Sequence, residues 1–473
     1  MGRRKVRIAR EMHVAEWSYR EALEELWRRS SYERGLISNP FGGPERAALG
    51  LRRMRALLAE LGDPQRTVPL VHVAGSKGKG STCAFVASCA QQAGLRTGFY
   101  SSPHLHRFPE RIAINGAPVT DEVFASLAAQ VAAAAAHLES RQPALDTVTT
   151  FEMITAMAFL GFAQAHCDLA VIEVGLGGLL DATNVIDPLV CVITRIDYEH
   201  TAVLGKTLTE IARQKAGILR PGTPAVVSAQ TPEAETAIRE VAEALSAPLL
   251  VGGSHWQWQG NWRDFTATGP WGAWDRLALG LPGPHQVENA CTALAALHVL
   301  HEQGLPIPES SIRAGLLAAR WPGRFERLQV SDQEVVLDGA HTPAAARALV
   351  ETWRAELGDS PATVIVGMGN DKDLRAFLRE LAPITRRVIA TRADSPRAAS
   401  AEAVAKAAGE LGLTVEIAPD VKSALDLAVD DSPLLVTGTL FVAGEVREAL
   451  GLAEPDLEWA AINAAHLAAA SAP

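Results

Sequence analysis

Two rhythms of apolar and polar positions alternate along the chain. Short apolar runs rich in β-branched residues recur between residue 68 and about residue 250: "PLVHVAG" (69–75), "RTGFYSS" (96–102), "DLAVIEVG" (168–175), "LVCVITRID" (189–197) and "PAVVSA" (224–229). Each reads as a buried strand. Between them lie segments with helical spacing, among them "STCAFVASCAQQAG" (81–94), closed by Gly94, "DEVFASLAAQVAAAAAHLE" (121–139) and "TLTEIARQKAG" (207–217). This alternation predicts a mainly parallel sheet covered by helices on both faces. Residues 251–281 break the rhythm with tryptophans, glycines and weak alternation, which predicts a small antiparallel excursion. Two helical stretches follow, "HQVENACTALAALHVLHEQG" (285–304) and "ESSIRAGLLAA" (309–319), and then "RWPGR" (320–324) interrupts as a candidate linker. Beyond it "EVVLDG" (334–339), "ATVIVGM" (362–368), "RRVIATRA" (386–393), "TVEIAP" (414–419) and "PLLVTG" (433–438) each precede a helical segment, so a second, smaller, Rossmann-like doubly wound domain is expected. The division is an α/β N-terminal domain at 1–320 and a C-terminal domain at 321–473. At the chain ends, "EMHVAEWSYREALEELW" (11–27) has an amphipathic helical pattern, and the Ala-rich "AAINAAHLAAASAP" (460–473) predicts a frayed tail.

Composition narrows the class. The 473 residues are too many for one ordinary domain and leave room for a large buried core. Hydrophobic residues at 48% and charged residues at 21% exclude a disordered or membrane-embedded chain. No run approaches the roughly 18 apolar residues that span a bilayer. The basic start "MGRRKVRIAR" passes into the amphipathic pattern rather than a signal-peptide core, so a cytoplasmic location is expected. Five cysteines lack paired metal spacing and sit in apolar surroundings, as reduced core residues do. A formal charge of −10 argues against a nucleic-acid surface.

Ligands of such sheets bind beyond the carboxyl ends of the strands, so the polar residues there decide the chemistry. "VHVAGSKGKGSTCAF" (71–85) has strand, glycine loop and helix in the order of a phosphate-binding loop, although only two residues separate Gly75 from Gly78 and Lys79, where the commonest spacing has four. Glycines let successive N–H groups turn inward, and the helix N-terminus adds partial positive charge. In a P-loop-type domain Lys79 then reaches the β- and γ-phosphates and Ser81, after Gly80, ligates Mg²⁺. Glu173 is a carboxylate in an apolar strand and needs a cation, either a second Mg²⁺ contact or a structural Lys or Arg. "ITRIDYEHTAVLG" places Asp197, Glu199 and His200 at another strand end, where a metal-ligating imidazole fits. Lys215, taken alone, reads as a surface lysine on a helix. Asp338 and His341 in "LDGAHTP", and Thr437 and Thr439 in "VTGTL", stand between strand and helix, where turn chemistry accounts for them equally well.

Together these segments resemble the folylpolyglutamate synthase and dihydrofolate synthase family, a branch of the Mur-ligase superfamily of ATP-dependent amide-forming enzymes. The resemblance runs from about residue 18 to 450 through "HVAGSKGKGS", "SSPHLHRFPERIAING", "TTFEMITAMAF", "EVGLGGLLDATN", "LGKTLTEIARQKAGI", "LPGPHQVENA", "WPGRFE", "LDGAHTP", "GMGNDKD" and "VTGTLFVAGEVR". The short loop spacing is the one that family uses. The resemblance implies phosphate and Mg²⁺ roles for Lys79 and Ser81, and metal ligation by Glu173 and His200. It implies nucleotide contacts at Asn289 and Arg324, a nucleotide or phosphate contact at Asp338, a place at the incoming glutamate for His341, and a lysine open to carbamylation at Lys215. It further implies the use of ATP, Mg²⁺, L-glutamate and a pterin or folate acceptor, the last two joined through an acyl phosphate; a monomer is expected. Five positions depart from the pattern: Lys77 for Asn, Leu179 for Arg, Glu199 for Asp, Thr342 for Asn and Thr439 for Ser. They fall beside the phosphate apparatus, which leaves room for a ligase that uses a different acceptor or amino acid; a nucleotide-binding module without catalysis is the other alternative, against which Lys79, Ser81, Glu173 and His200 speak.

Overall fold

The computed structural model describes residues 16–30, 44–395 and 397–456. The basic first ten residues, the start of the amphipathic pattern at 11–15 and the Ala-rich tail lie outside them. Within the described residues the N-terminal helix is Tyr19–Arg28, shorter than the apolar pattern predicts. It is fixed by a capping box, Ser18 accepting from the Glu21 N–H while the Glu21 carboxylate accepts from the Ser18 N–H.

The first sheet contains β1 (Leu70–Ala74), β2 (Thr97–Tyr100), β3 (Ile112–Ile114), β4 (Ala117–Pro118), β5 (Leu169–Glu173), β6 (Val190–Ile193), β7 (Ala225–Val227) and β8 (Leu249–Val251). They lie in the order β4-β3-β2-β5-β1-β6-β7-β8. The six strands from β2 to β8 are parallel, and β3 and β4 add an antiparallel hairpin at one edge. Strand periodicity sorts the side chains onto two faces. Val71, Val73, Val171 and Val192 pack against the helices Lys79–Gln92, Pro284–Glu302 and Glu309–Ala318, whereas Leu70, Ala170 and Ile172 pack against Tyr19–Arg28, Asp121–Arg141 and Thr150–Gln164. Both faces are therefore dry, and each buried Val, Leu or Ile contributes about 1.5–3 kcal/mol relative to exposure.

The expected antiparallel excursion is a three-stranded sheet of β9 (Gln257–Asn261), β10 (Asp264–Gly269) and β11 (Gly272–Leu277). The second domain carries β12 (Glu326–Val330), β13 (Gln333–Leu337), β14 (Ala362–Val366), β15 (Thr385–Ala390), β16 (Val415–Ile417) and β17 (Leu434–Thr437), in the order β12-β13-β17-β14-β15-β16. All pair in parallel except β12, an edge strand antiparallel to β13. The "RWPGR" segment is irregular, yet more than a tether: the Trp321 ring lies 5.1 Å from that of Phe99 in a tilted stack. A Cβ on Gly80 would come within 2.8 Å of the Trp321 Nε1.

Candidate active site

Strands β5, β1 and β6 are parallel neighbours, so their carboxyl ends open along one edge, and the residues singled out in the first domain cluster there. The loop after β1 is shaped by close packing. Gly75 has φ +152° and a Cβ there would lie 1.8 Å from Thr194 Oγ1; Gly78 has φ +85° and a Cβ there would lie 2.1 Å from Asn289 Oδ1. The Ser76 and Lys77 N–H groups donate to the Arg195 carbonyl at 2.9 and 3.1 Å, which staples the loop to the segment after β6. Lys79 opens the helix, and Ser81 lies buried one turn inside it. Asn289, in the helix Pro284–Glu302, donates from Nδ2 to Gln286 Oε1 at 3.0 Å and packs against Gly78.

Two ammonium groups share one acceptor. Lys79 Nζ and Lys215 Nζ both donate to the Gly75 carbonyl, at 3.0 and 2.8 Å. Lys215 is 1% exposed, so the reading of it as a surface lysine is wrong. The helix Leu208–Ala216 delivers its side chain inward, where Nζ also meets Glu199 Oε1 at 2.6 Å. Burial, reinforced by Lys79 and Lys77 and opposed by Glu199, brings the Lys215 amine down to about 8. Burial works against the charge of Glu199, but Lys79 and Lys215 outweigh it and hold that carboxyl below its usual range.

Glu173 ends β5 and is 6% exposed. Burial pushes its carboxyl up to about 7, only partly offset by the charges of Lys79 and Arg324. His200 lies beyond β6, exposed, with φ 45°, as N-cap of the short helix Thr201–Leu204. Among the described residues no three His, Cys, Asp or Glu side chains form a metal-holding group. The donors are thus one hydroxyl, one carboxylate and one imidazole. They fit Mg²⁺ where phosphate oxygens and water complete the shell, and among the described residues the buried Glu173 carboxyl, though it feels the charges of Lys79 and Arg324, makes no ion pair.

In the second domain Asp338 follows β13 and accepts N–H bonds from Phe325 (2.8 Å) and Ala340 (2.9 Å). Turn chemistry therefore uses both of its oxygens, and burial raises its carboxyl against the pull of Arg324. Arg324 lies against Gly339, where a Cβ would come within 2.7 Å of its NH1. His341 Nδ1 is 3.1 Å from the Gly339 carbonyl, and burial, aided by the charge of Lys77 across the cleft, lowers the imidazole to about 4. Of the departing positions, Thr342 and Thr439 cap helices by accepting from the Ala345 and Val442 N–H groups. Leu179 is 42% exposed, and its N–H donates to the Gln214 carbonyl at 2.7 Å, beside the helix that carries Lys215.

A cavity of about 640 Å³ adjoins the loop, lined by Gly80, Ser101, His104, Glu173, Trp321 and Arg324 among others. Ser101 and His104 carry no role in the sequence reading. Their signal is positional: "SSPH" leaves the end of β2, the strand next to β5.

A phosphate loop on one domain, facing a second nucleotide-type fold across a shared cavity, is the layout of an ATP-dependent ligase of the Mur type. Residues 73–297 match the Mur ligase middle domain and residues 323–440 the Mur ligase glutamate ligase domain. The chain is 34% identical over 420 residues to dihydrofolate synthase/folylpolyglutamate synthase of Bacillus subtilis, covering 85% of this chain and 95% of that protein. The chain belongs to the folylpolyglutamate synthase/dihydrofolate synthase family. Among solved structures, Mycobacterium tuberculosis folylpolyglutamate synthase complexed with ADP and AMPPCP superposes with a TM-score of 0.80 at 34% identity, over 86% of this chain and 96% of that one. Escherichia coli FolC in complex with DHPP and ADP gives 0.77 at 32% identity, over 92% and 98%.

Proposed function

We propose that the protein adds L-glutamate to a folate-type carboxylate, dihydropteroate or a reduced folate, through an acyl phosphate, with release of ADP and phosphate. The observation that carries this is the meeting of Lys79, Lys215 and Glu199 around the Gly75 loop, in a chain whose relatives are named for this ligation. In this reading the loop amides from Gly75 to Ser81 cradle the triphosphate, and Lys79 exchanges a neutral carbonyl for anionic phosphate oxygens. Ser81, Glu173 and His200 hold Mg²⁺, which when bound neutralises charge on the transferring phosphoryl group. Asn289 and Arg324 flank the nucleotide, and Asp338 meets it from the second domain. The acceptor occupies the cavity of about 640 Å³, between the apolar Phe99 and Trp321 and the polar Ser101 and His104. His341 stays neutral at pH 7; with Nδ1–H given to Gly339, its Nε2 offers a lone pair to the glutamate amine. Closure of the domains, which meet at 320–321, keeps water from the acyl phosphate. The working unit is a monomer.

Lys215 carries the second part of the reading. With its amine near 8, about a tenth is neutral at pH 7, far more than for a lysine near 10.4, so carbamylation becomes accessible. The carbamate then adds an anion to the metal side of the loop. Glu199, one methylene longer than the aspartate usual there, pairs with the amine at 2.6 Å until that happens.

The test is a screen of the purified protein with ATP, glutamate and either dihydropteroate or a reduced folate. The expected result is ADP release that requires both acceptor and glutamate, with a product heavier by one glutamyl residue. ATP turnover supported only by some other carboxylate would overturn the folate assignment while leaving the ligase class intact.

A further inference from the structure

Beyond the helix Leu440–Ala449 the chain turns back from the second domain to the first. There the Asp456 carboxylate accepts from the Tyr19 hydroxyl, at 2.7 and 2.9 Å, and from the Phe108 N–H at 3.0 Å. Tyr19 belongs to the helix Tyr19–Arg28. Its ring packs edge-on to Phe124 at 5.6 Å and carries the Arg107 guanidinium over its face at 4.6 Å, with Arg107 anchored in turn on Asp121 at 2.9 Å. Phe108 lies in the segment 104–111, of which His104, Leu105, His106 and Glu110 line the cavity. Glu110 shapes that segment by accepting from the N–H groups of Leu105, His106 and Arg107. Arg447 and Ala453, from the second domain, line the same cavity. A Cβ on Gly444 would come within 2.9 Å of the Leu105 carbonyl, so the helix of the second domain presses on the segment directly.

We propose that Asp456 is a positioning residue for the acceptor: it clasps the C-terminal domain to the N-terminal domain and holds two walls of the cavity at a fixed separation. The inference rests on the reading of this cavity as the acceptor site. A carboxylate is suited to the task because it takes both the phenol and the amide at once, and charge-assisted bonds are stronger than neutral ones. The clasp residues, Asp456, Tyr19, Phe108 and Arg107, lie beside the 104–111 wall of the cavity and outside the phosphate loop, so the larger effect falls on acceptor binding rather than on ATP.

Steady-state kinetics of the full chain test this. Asp456→Ala should raise the acceptor KM roughly tenfold, with kcat and the ATP KM within about twofold. Tyr19→Phe, which keeps the ring for Arg107 and Phe124, should raise it about threefold, and Asp456→Glu should recover part of the loss. An unchanged acceptor KM in folded Asp456→Ala, or parallel rises in the acceptor and ATP KM values, would overturn the clasp. Where Asp456→Ala fails to fold, Tyr19→Phe decides by the same criterion. His104→Ala separates the two layers of the argument. If it leaves the acceptor KM unchanged, the cavity reading fails and the clasp with it; if it raises the KM while Asp456→Ala does not, the clasp alone fails.

Discussion

Glu173 shows how a single buried carboxyl trades stability for function. Its folded pKa near 7 lies above the ordinary carboxylate value of 4.5, so the folded state holds the proton more tightly than the unfolded chain. Relative to the protonated carboxyl, burial costs nothing below pH 4.5; the cost grows as pH rises from 4.5 to 7 and reaches about 3 kcal/mol above that in the absence of metal. Glu173→Gln keeps the shape without the charge. In metal-free buffer it should denature at the same temperature as the parent near pH 4 and at a higher one at pH 8, and it should lose the extra protection that Mg²⁺ gives with a non-hydrolysable ATP analogue. A variant no more stable than the parent at pH 8 would mean that the carboxyl is already neutralised by its neighbours. Lys215 makes the opposite trade, an amine buried so that it is partly neutral. Lys215→Ala should lower kcat on the order of a hundredfold, with short carboxylic acids restoring part of it by supplying the missing anion. Unchanged activity and Mg²⁺ dependence would leave Lys215 as a structural partner of Glu199.

At the scale of elements, the loop after β1 is constrained from outside as much as by its own glycines. Gly78 and Gly94 have nearly the same φ, +85° and +82°, but a Cβ meets Asn289 at the first and nothing within 4 Å at the second. Gly94→Ala should therefore cost only the left-handed backbone penalty of about 1–2 kcal/mol. Gly78→Ala should add displacement of Asn289 from Gln286 and raise the KM for ATP at least tenfold. Equal ATP KM values in the two variants would sink the role given to Asn289. The glycine loop, its flanking strand and the alternation that follows were legible because period and punctuation are local properties. What was not legible is what other strands do to it. Thr194, which fills the space above Gly75, is 119 positions away, and no spacing rule connects them. Lys215 reads as exposed because its helix has polar neighbours, and only the resemblance marks it. β12 was missed because "ERLQV" alternates weakly and pairs only at an edge. The order of strands, which brings β5 and β6 to either side of β1, is set by crossovers that periodicity does not encode.

At the scale of the whole molecule, ties between the two domains couple their stability. Glu356, in the helix Pro343–Leu357, accepts from Trp262 Nε1 at 2.7 Å and pairs with Arg263 at 3.1 Å, both in the turn between β9 and β10. It also pairs with Arg327 at 3.2 Å. Glu356→Ala should cost about 1–3 kcal/mol, because it leaves the buried indole N–H without its acceptor. Calorimetry should show a lowered or split melting transition; an unchanged single transition would show that Glu356 adds nothing to the coupling, the Arg263 bond to the Ala355 carbonyl at 3.0 Å being left in place. Trp321, at the junction of the domains, has a different consequence. Its indole rests against Gly80 of the phosphate loop and against Phe99, so an anion arriving at the loop changes the electric field across the ring that fluoresces. Of the chain's ten tryptophans, this one sits where the emission colour should shift when ADP is titrated in, and Trp321→Phe should abolish the shift. The junction is then an optical probe already in the chain, able to time nucleotide arrival without any added dye.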